Sequence, residues 1–351
     1  MKLTQFIATA ALLVTAVAAK AGDVVQLNGA GATFPNIIYQ DWILTYNQSH
    51  ADVKLNYQSI GSGGGIRQFS EGTVDFGGSD APMTDSAIAA ISGNVLHIPT
   101  VLGAVVVTYN IPGVTQQLKI TPDVLADIFL GKITKWNDAR LTSINAGVTL
   151  PSSDILVAHR SDGSGTSYIF TDYLSKVSPE WRQKVGKGTS VNWPVGLGGK
   201  GNEGVAATVA QTPGGIGYIE LAYANSNHLQ FAQLRNHAGK FINPTIAATT
   251  EALAGAMKTM SPSTDFRVSI TDSPGETAYP IASMTYLLLH KTYGDAAKAR
   301  ALVQFVAWAE SDGQAKAASL GYAPLPKELH PWIEARLKSI TANGRPVWKA
   351  E

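Results

Sequence analysis

The stretch His159–Phe170, HRSDGSGTSYIF, decides how the fold is read. It joins a short β-rich run, DILVAHR (Asp154–Arg160), to a helical pattern through Tyr168, Phe170 and TDYL, and builds the junction from Ser, Asp, Gly and Thr. A strand that delivers the chain to a small-residue turn opening a helix is the repeating unit of open α/β sheets, and such turns are where those sheets hold ligands. The first turn of a helix leaves backbone N–H groups without acceptors, and the aligned peptide dipoles add to their positive field. Glycine lets a ligand approach that backbone closely, while serine and threonine add neutral donors. Arg160 supplies a planar, permanently charged fork suited to an oxyanion. The stretch therefore predicts a site for a tetrahedral oxyanion.

Working outward, the same design recurs. VVQLNGAG (Val24–Gly31) reads as a strand and turn, and NIIYQDWILTY (Asn36–Tyr46) follows with Ile37, Ile38, Trp42, Ile43 and Tyr46 near helical spacing. VKLNYQSI predicts a second strand, Gly61–Gly65 (GSGGG) a loop, and IRQFSEG a helix. A third copy in miniature has a strand over Val74–Gly77, a loop containing Asp80, and a helix starting near Thr84 or Asp85. The apolar VLGAVVVTYNI reads as a buried strand leaving this unit, and TPDVLADIFLG as another helix. The alternation predicts α/β lobes with largely parallel sheets. Taken singly, each turn also reads as a cap: Ser164 and Thr166 before their helix, Asp80 before the next, Thr33 as a cap beside a core Phe34, and Ser62 in a flexible loop. Their recurrence at equivalent strand-to-helix turns favours a shared ligand.

A chain of 351 residues with 45% hydrophobic and 15% charged residues is globular and exceeds the span over which one core usually grows, so two lobes are expected. Lys2, the apolar run FIATAALLVTAVAA and the small residues of AKA read as a signal peptide cleaved after Ala21, the run being shorter than the ~20 residues that span a bilayer. Losing Lys2 and Lys20 with that segment takes the net charge from +1 to −1, which leaves no basic field for nucleic acid. Without cysteine there is neither a disulfide nor a lipid-modified cysteine anchor, and a freely diffusing protein suits an enclosed periplasm. The seven histidines show no metal spacing, so no metal or cofactor is expected. An exported phosphate-ester hydrolase is the competing class. GGSDA around Ser79 misses the nucleophile-elbow pattern, Ser164 lacks a glycine two residues before it, and GSGTS has no following lysine. His159, next to Arg160 in a strand, should point to the opposite face.

The set GAGATFP (Gly29–Pro35), GSGGGIRQ, VDFGGSDAPMTD, RSDGSGTS (Arg160–Ser167), VGLGGKGNEGVAATV and PGGIGYIE resembles the periplasmic phosphate-binding proteins of bacterial high-affinity phosphate importers, over almost the whole mature chain. The resemblance implies an α/β, two-lobed periplasmic binding protein fold of type II, with the ligand in a cleft between lobes. Residues 22–103 plus 280–351 would form lobe I and residues 104–279 lobe II. Carried over position by position, Thr33, Phe34 and Ser62 would donate through backbone and hydroxyl groups, and Asp80 would accept the ligand's proton. Arg160 would be the charged donor, with Ser164, Gly165 and Thr166 as the helix N-terminal cradle and Asp162 pairing with Arg160 behind them. The implied partners are inorganic phosphate and the permease and ATPase subunits of an inner-membrane ABC importer, served by a monomer with no cofactor. A phosphate-binding adhesin on the same fold is a further alternative.

Overall fold

The computed structural model describes residues 24–262 and 265–348; the expected signal peptide, residues 1–21, lies outside the described residues. Strand β1 (Val25–Gly31) leads through Ala32–Pro35 into helix α1 (Asn36–Ser49), which buries Ile38, Tyr39, Trp42, Ile43 and Tyr46. Strand β2 (Val53–Ser59) turns Val53, Leu55 and Tyr57 inward and Lys54, Asn56 and Gln58 outward, the period of two that a strand with one wet face requires.

Helix α2 then begins at Ser62 and runs to Ser70, so the loop expected over Gly61–Gly65 is a turn at Gly61 alone, with φ of +86°. Glycines in a helix cost about 1 kcal/mol each against alanine, and close packing outweighs that cost here. A Cβ on Gly65 would stand 2.5 Å from Gly31 Cα and 2.7 Å from the Gly78 carbonyl oxygen, so only glycine lets α2 rest on the sheet. Strand β3 (Phe76–Ser79) begins two residues later than Val74. The next helix, Asp85–Ala90, starts where its signals predict, and Thr84 caps it by accepting the Ala87 N–H. Asp80 is therefore not its cap.

Strand β4 (Leu96–Asn110) is fifteen residues long and buried along nearly its whole length. After it come strand β5 (Leu156–Arg160), helix α3 (Gly165–Val177), strand β6 (Leu197–Gly199), helix α4 (Gly201–Gln211), strand β7 (Gly215–Glu220) and strand β8 (Ala282–Leu289). The sheet order is β2-β1-β3-β8-β4-β7-β5-β6. Pairing is parallel on both flanks, as expected, but the central strands β8 and β4 run antiparallel to their neighbours, because they carry the chain between the flanks. Leu96–Ala104 pairs with β8, whereas Val105–Asn110 pairs with β7. Two open α/β sheets thus share one strand, which gives the molecule its two lobes. The returning chain passes at the same point: Val105 N–H donates to the Ile281 carbonyl, and the Tyr279 hydroxyl to the Val105 carbonyl. A bulge leaves Thr100 unpaired on β4, between Pro99, opposite Tyr286, and Val101, opposite Thr285.

A candidate anion site between the lobes

The strand-to-helix turns from the two halves of the sheet meet face to face. Gly63 N–H donates to the Gly163 carbonyl at 2.8 Å, and a Cβ on Gly165 would lie 2.3 Å from Ser62 Oγ and 2.4 Å from Asp80 Oδ2. Thr33, Phe34, Ser62, Asp80, Arg160, Ser164, Gly165 and Thr166 are all buried at this junction, with Asp162 half-buried beside them.

Arg160 ends β5, where its own N–H donates to the Tyr218 hydroxyl at 3.1 Å. Its guanidinium grips Asp162 with both arms, Nε to Oδ1 at 2.8 Å and Nη2 to Oδ2 at 2.6 Å, while Nη1 donates to Thr166 Oγ1 at 3.2 Å. Burial disfavours ionisation of Asp162, but the bonds and charge of Arg160, with the Gly201 N–H, overcome it and hold the carboxyl below the usual range. The fork is thereby fixed and part of its charge is balanced. His159 turns to the other side and stacks on Trp193, ring centres 4.9 Å apart.

Ser164 caps α3, its Oγ accepting the Ser167 N–H at 2.9 Å, and its own N–H is spent on the Thr189 carbonyl at 2.8 Å. Its hydroxyl proton is what remains for the cleft. The N–H groups of Gly165 and Thr166 belong to the first turn, which a helix leaves without intrahelical acceptors. Phe34 contributes in the same manner. Its ring is core, beside Tyr322 at 6.4 Å and against Gly103, where a Cβ would fall 2.4 Å from the ring. Its carbonyl accepts the Tyr322 hydroxyl at 2.7 Å and that of Thr33 the Tyr223 hydroxyl at 2.6 Å, anchoring this turn by its acceptors.

Asp80 faces these donors, and among the described residues it has no ion-pair partner at bonding distance. Oδ1 accepts the Thr285 hydroxyl at 2.7 Å, Oδ2 the Ser62 hydroxyl at a long 3.4 Å, and Asp80 N–H donates to Ser62 Oγ at 3.1 Å. Burial pushes its carboxyl up to about 7, against the opposing pull of Thr285, the Arg160 charge and Ser62. Thr285 is held from behind: the bulged Thr100 donates to its carbonyl at 3.3 Å and shares a 2.8 Å hydrogen bond with the Tyr39 hydroxyl. A small cavity of about 30 Å³, lined by Asp80, Tyr168, Arg267 and Ser283 among others, adjoins this carboxylate and has room for roughly one water. A ring of donors around a single acceptor suits a tetrahedral anion that carries one proton.

The model of the PBP superfamily domain matches residues 16–312. The phosphate-binding protein PstS of Xylella fastidiosa (strain 9a5c) is 46% identical over 312 residues, covering 89% of this chain and 84% of that protein. The phosphate-binding protein PstS of Pasteurella multocida is 44% identical over 326 residues, covering 92% and 93%. The chain belongs to the PBP superfamily, in the family of these PstS proteins. Solved structures agree on the fold of this PBP-superfamily chain. A human phosphate binding apolipoprotein superposes with a TM-score of 0.71 at 21% identity, covering 91% of this chain and 99% of that one. A periplasmic phosphate-binding protein bound with phosphate at pH 8.5 gives 0.70 at 20% identity, covering 89% and 93%.

Several residues that shape the site escape the sequence reading. Tyr218, Tyr223, Thr285 and Tyr322 reach it from two strands, a short helix and a loop whose patterns say only that they are buried. Asn202 is different. It opens α4 behind GLGGKG, a further glycine turn between strand and helix, and the same signal that singles out Ser164 could have found it.

Proposed function

We propose that this chain captures inorganic phosphate in the periplasm, as a monomer released from its signal peptide, and hands it to the permease and ATPase subunits of an ABC importer. Thr33, Phe34, Ser62, Arg160, Ser164, Gly165 and Thr166 are the donors, Asp80 is the acceptor, and Asp162 steadies Arg160. The lobes divide as 22–103 plus 280–351 and 104–279, a division supported by the partner change of β4 at Ala104/Val105 and by the return of the chain beside it at Ile281.

The observation that carries this reading is the buried Asp80 carboxylate among donors. Two anions at hydrogen-bond distance repel, and a buried carboxylate is costly unless something donates to it. Phosphate near neutral pH keeps a proton, and its P–OH turns that repulsion into a charge-assisted hydrogen bond; sulfate brings none. The phosphate-binding names of the PstS relatives support the same ligand. A hydrolase would want a base beside its nucleophile, and His159, stacked on Trp193, faces away from the cleft residues.

Calorimetric titration of phosphate, arsenate and sulfate, with an ester-hydrolysis assay alongside, tests the proposal. Saturable phosphate binding without turnover is expected, and Asp80→Asn should narrow the preference for phosphate over sulfate at pH 7 by relieving the penalty on sulfate. Absence of saturable phosphate binding, or steady hydrolysis, would overturn it.

A further inference from the structure

Asn202 stands between the turns of the two lobes, and a backbone group sets its orientation. Glu220 N–H donates to Asn202 Oδ1 at 2.9 Å, so the amide nitrogen must face the other way. On that side Nδ2 donates to Thr33 Oγ1 at 2.7 Å and to Thr166 Oγ1 at 3.1 Å. Each hydroxyl has a second donor as well. Thr33 Oγ1 receives the Asn202 backbone N–H at 3.2 Å, and Thr166 Oγ1 receives Arg160 Nη1 at 3.2 Å.

A threonine hydroxyl has two acceptor positions and one proton. Both acceptor positions of Thr33 and of Thr166 are taken by groups that can only donate: a backbone N–H, a guanidinium and an amide whose flip is fixed. The proton is left with the remaining tetrahedral direction, and among the described residues no hydrogen bond uses it. With exposures of 2% for Thr33 and 0% for Thr166, neither proton can turn to bulk water.

We infer that Asn202 is the positioning residue that sets the polarity of the anion site: it makes the Thr33 and Thr166 hydroxyls, one from each lobe, pure donors, so that neither can accept the ligand's proton. The ligand's proton is then directed to Asp80, and the anion is oriented as well as bound. This inference rests on the phosphate reading above. It adds that selectivity is written in two places, the acceptor that takes the proton and the amide that forbids it elsewhere.

A double-mutant cycle separates this role from simple packing or lobe closure. Asn202 and Thr166 both come from residues 104–279, so a coupling between them does not report the clasp to Thr33. Phosphate titrations would be run on the wild type, Asn202→Leu, Thr166→Val and the double variant, with Thr166→Ser as the background that keeps the hydroxyl. Asn202→Leu should weaken binding by about tenfold or more, the scale of a charge-assisted hydrogen bond. In the Thr166→Val background the same change should cost clearly less, what remains being its effect through Thr33, and in Thr166→Ser its full effect should return. If Asn202→Leu lowers the ligand-free melting temperature, Asn202→Ala, which leaves water room to meet the Glu220 N–H, takes its place in the cycle. Multiplicative losses in the double variant, or wild-type affinity in Asn202→Leu, would overturn the assignment while leaving phosphate capture intact. A wild type that does not bind phosphate would remove both.

Discussion

In the proposed site, Asp80 illustrates how one residue can be tuned for a ligand at the expense of the empty protein. Its carboxyl lies at about 7 in the fold and near the ordinary carboxylate value of about 3.9 in an unfolded chain. Between those values the folded state binds the extra proton, so the contribution of Asp80 to stability is present at acid pH and is lost as pH rises through about 7. Asp80→Asn removes that liability. Thermal melts of ligand-free protein should show the variant gaining more over the wild type at pH 8 than at pH 5, and an equal difference at both would show that Asp80 stays ionised throughout. The donors of the candidate site were legible as neighbours because each occupies the small-residue end of a strand, where local sequence announces its own geometry. Their supports were not. Thr285 lies 205 positions from Asp80 and Tyr322 lies 288 from Phe34, and nothing in a strand's or loop's own pattern says which distant group its hydroxyl will meet.

At the scale of elements, two glycines at the starts of helices do different work, and one substitution tells them apart. In Gly65→Ala the new Cβ meets backbone, Gly31 Cα at 2.5 Å and the Ala30 carbonyl oxygen at 2.8 Å, so α2 must lift from the sheet whether or not ligand is present. Its unfolding free energy should fall by about 1–3 kcal/mol, the usual cost of overpacking, outweighing the gain in helix propensity. In Gly165→Ala the Cβ meets Ser62 Oγ and Asp80, which belong to the opposite lobe. Ligand-free stability should be unchanged, since separated lobes relieve the clash, while phosphate affinity drops by about tenfold to a hundredfold for the same strain. Denaturant melts and titrations of the two variants check the contrast, and a stability loss at Gly165 equal to that at Gly65 would refute it. The misread loop at Gly61–Gly65 has the same origin. Glycine weakens a helix locally, and only the close approach of α2 to β1 and β3 explains why a helix forms there regardless.

For the molecule as a whole, the direct bonds across the cleft, Gly63 to Gly163 and Asn202 to Thr33, together with the burial of Thr33, Ser62, Asp80, Arg160, Ser164 and Thr166, describe lobes brought together. A ligand touching both walls favours that state by its differential affinity. Small-angle scattering should therefore give a smaller radius of gyration with saturating phosphate than without, and superimposable profiles would argue for a site that is closed in advance. The alternation of strands and helices, together with the length of the chain, was enough to predict two α/β lobes. The antiparallel centre was not legible, because the strands that fill it come from segments far apart in the chain.

That centre bears on the order in which the protein can be assembled. β8, residues 282–289, lies between β3 and β4, which are complete by residue 110. A chain made or threaded from its N-terminus presents the first four strands early, yet their sheet lacks its middle member until the late segment arrives. Until then β3 and β4 each keep an unsatisfied edge, and the first half of the sequence has no finished core to collapse upon. The topology thus holds folding back until nearly the whole polypeptide has been delivered, and an unfolded chain is the form that can pass through a narrow pore.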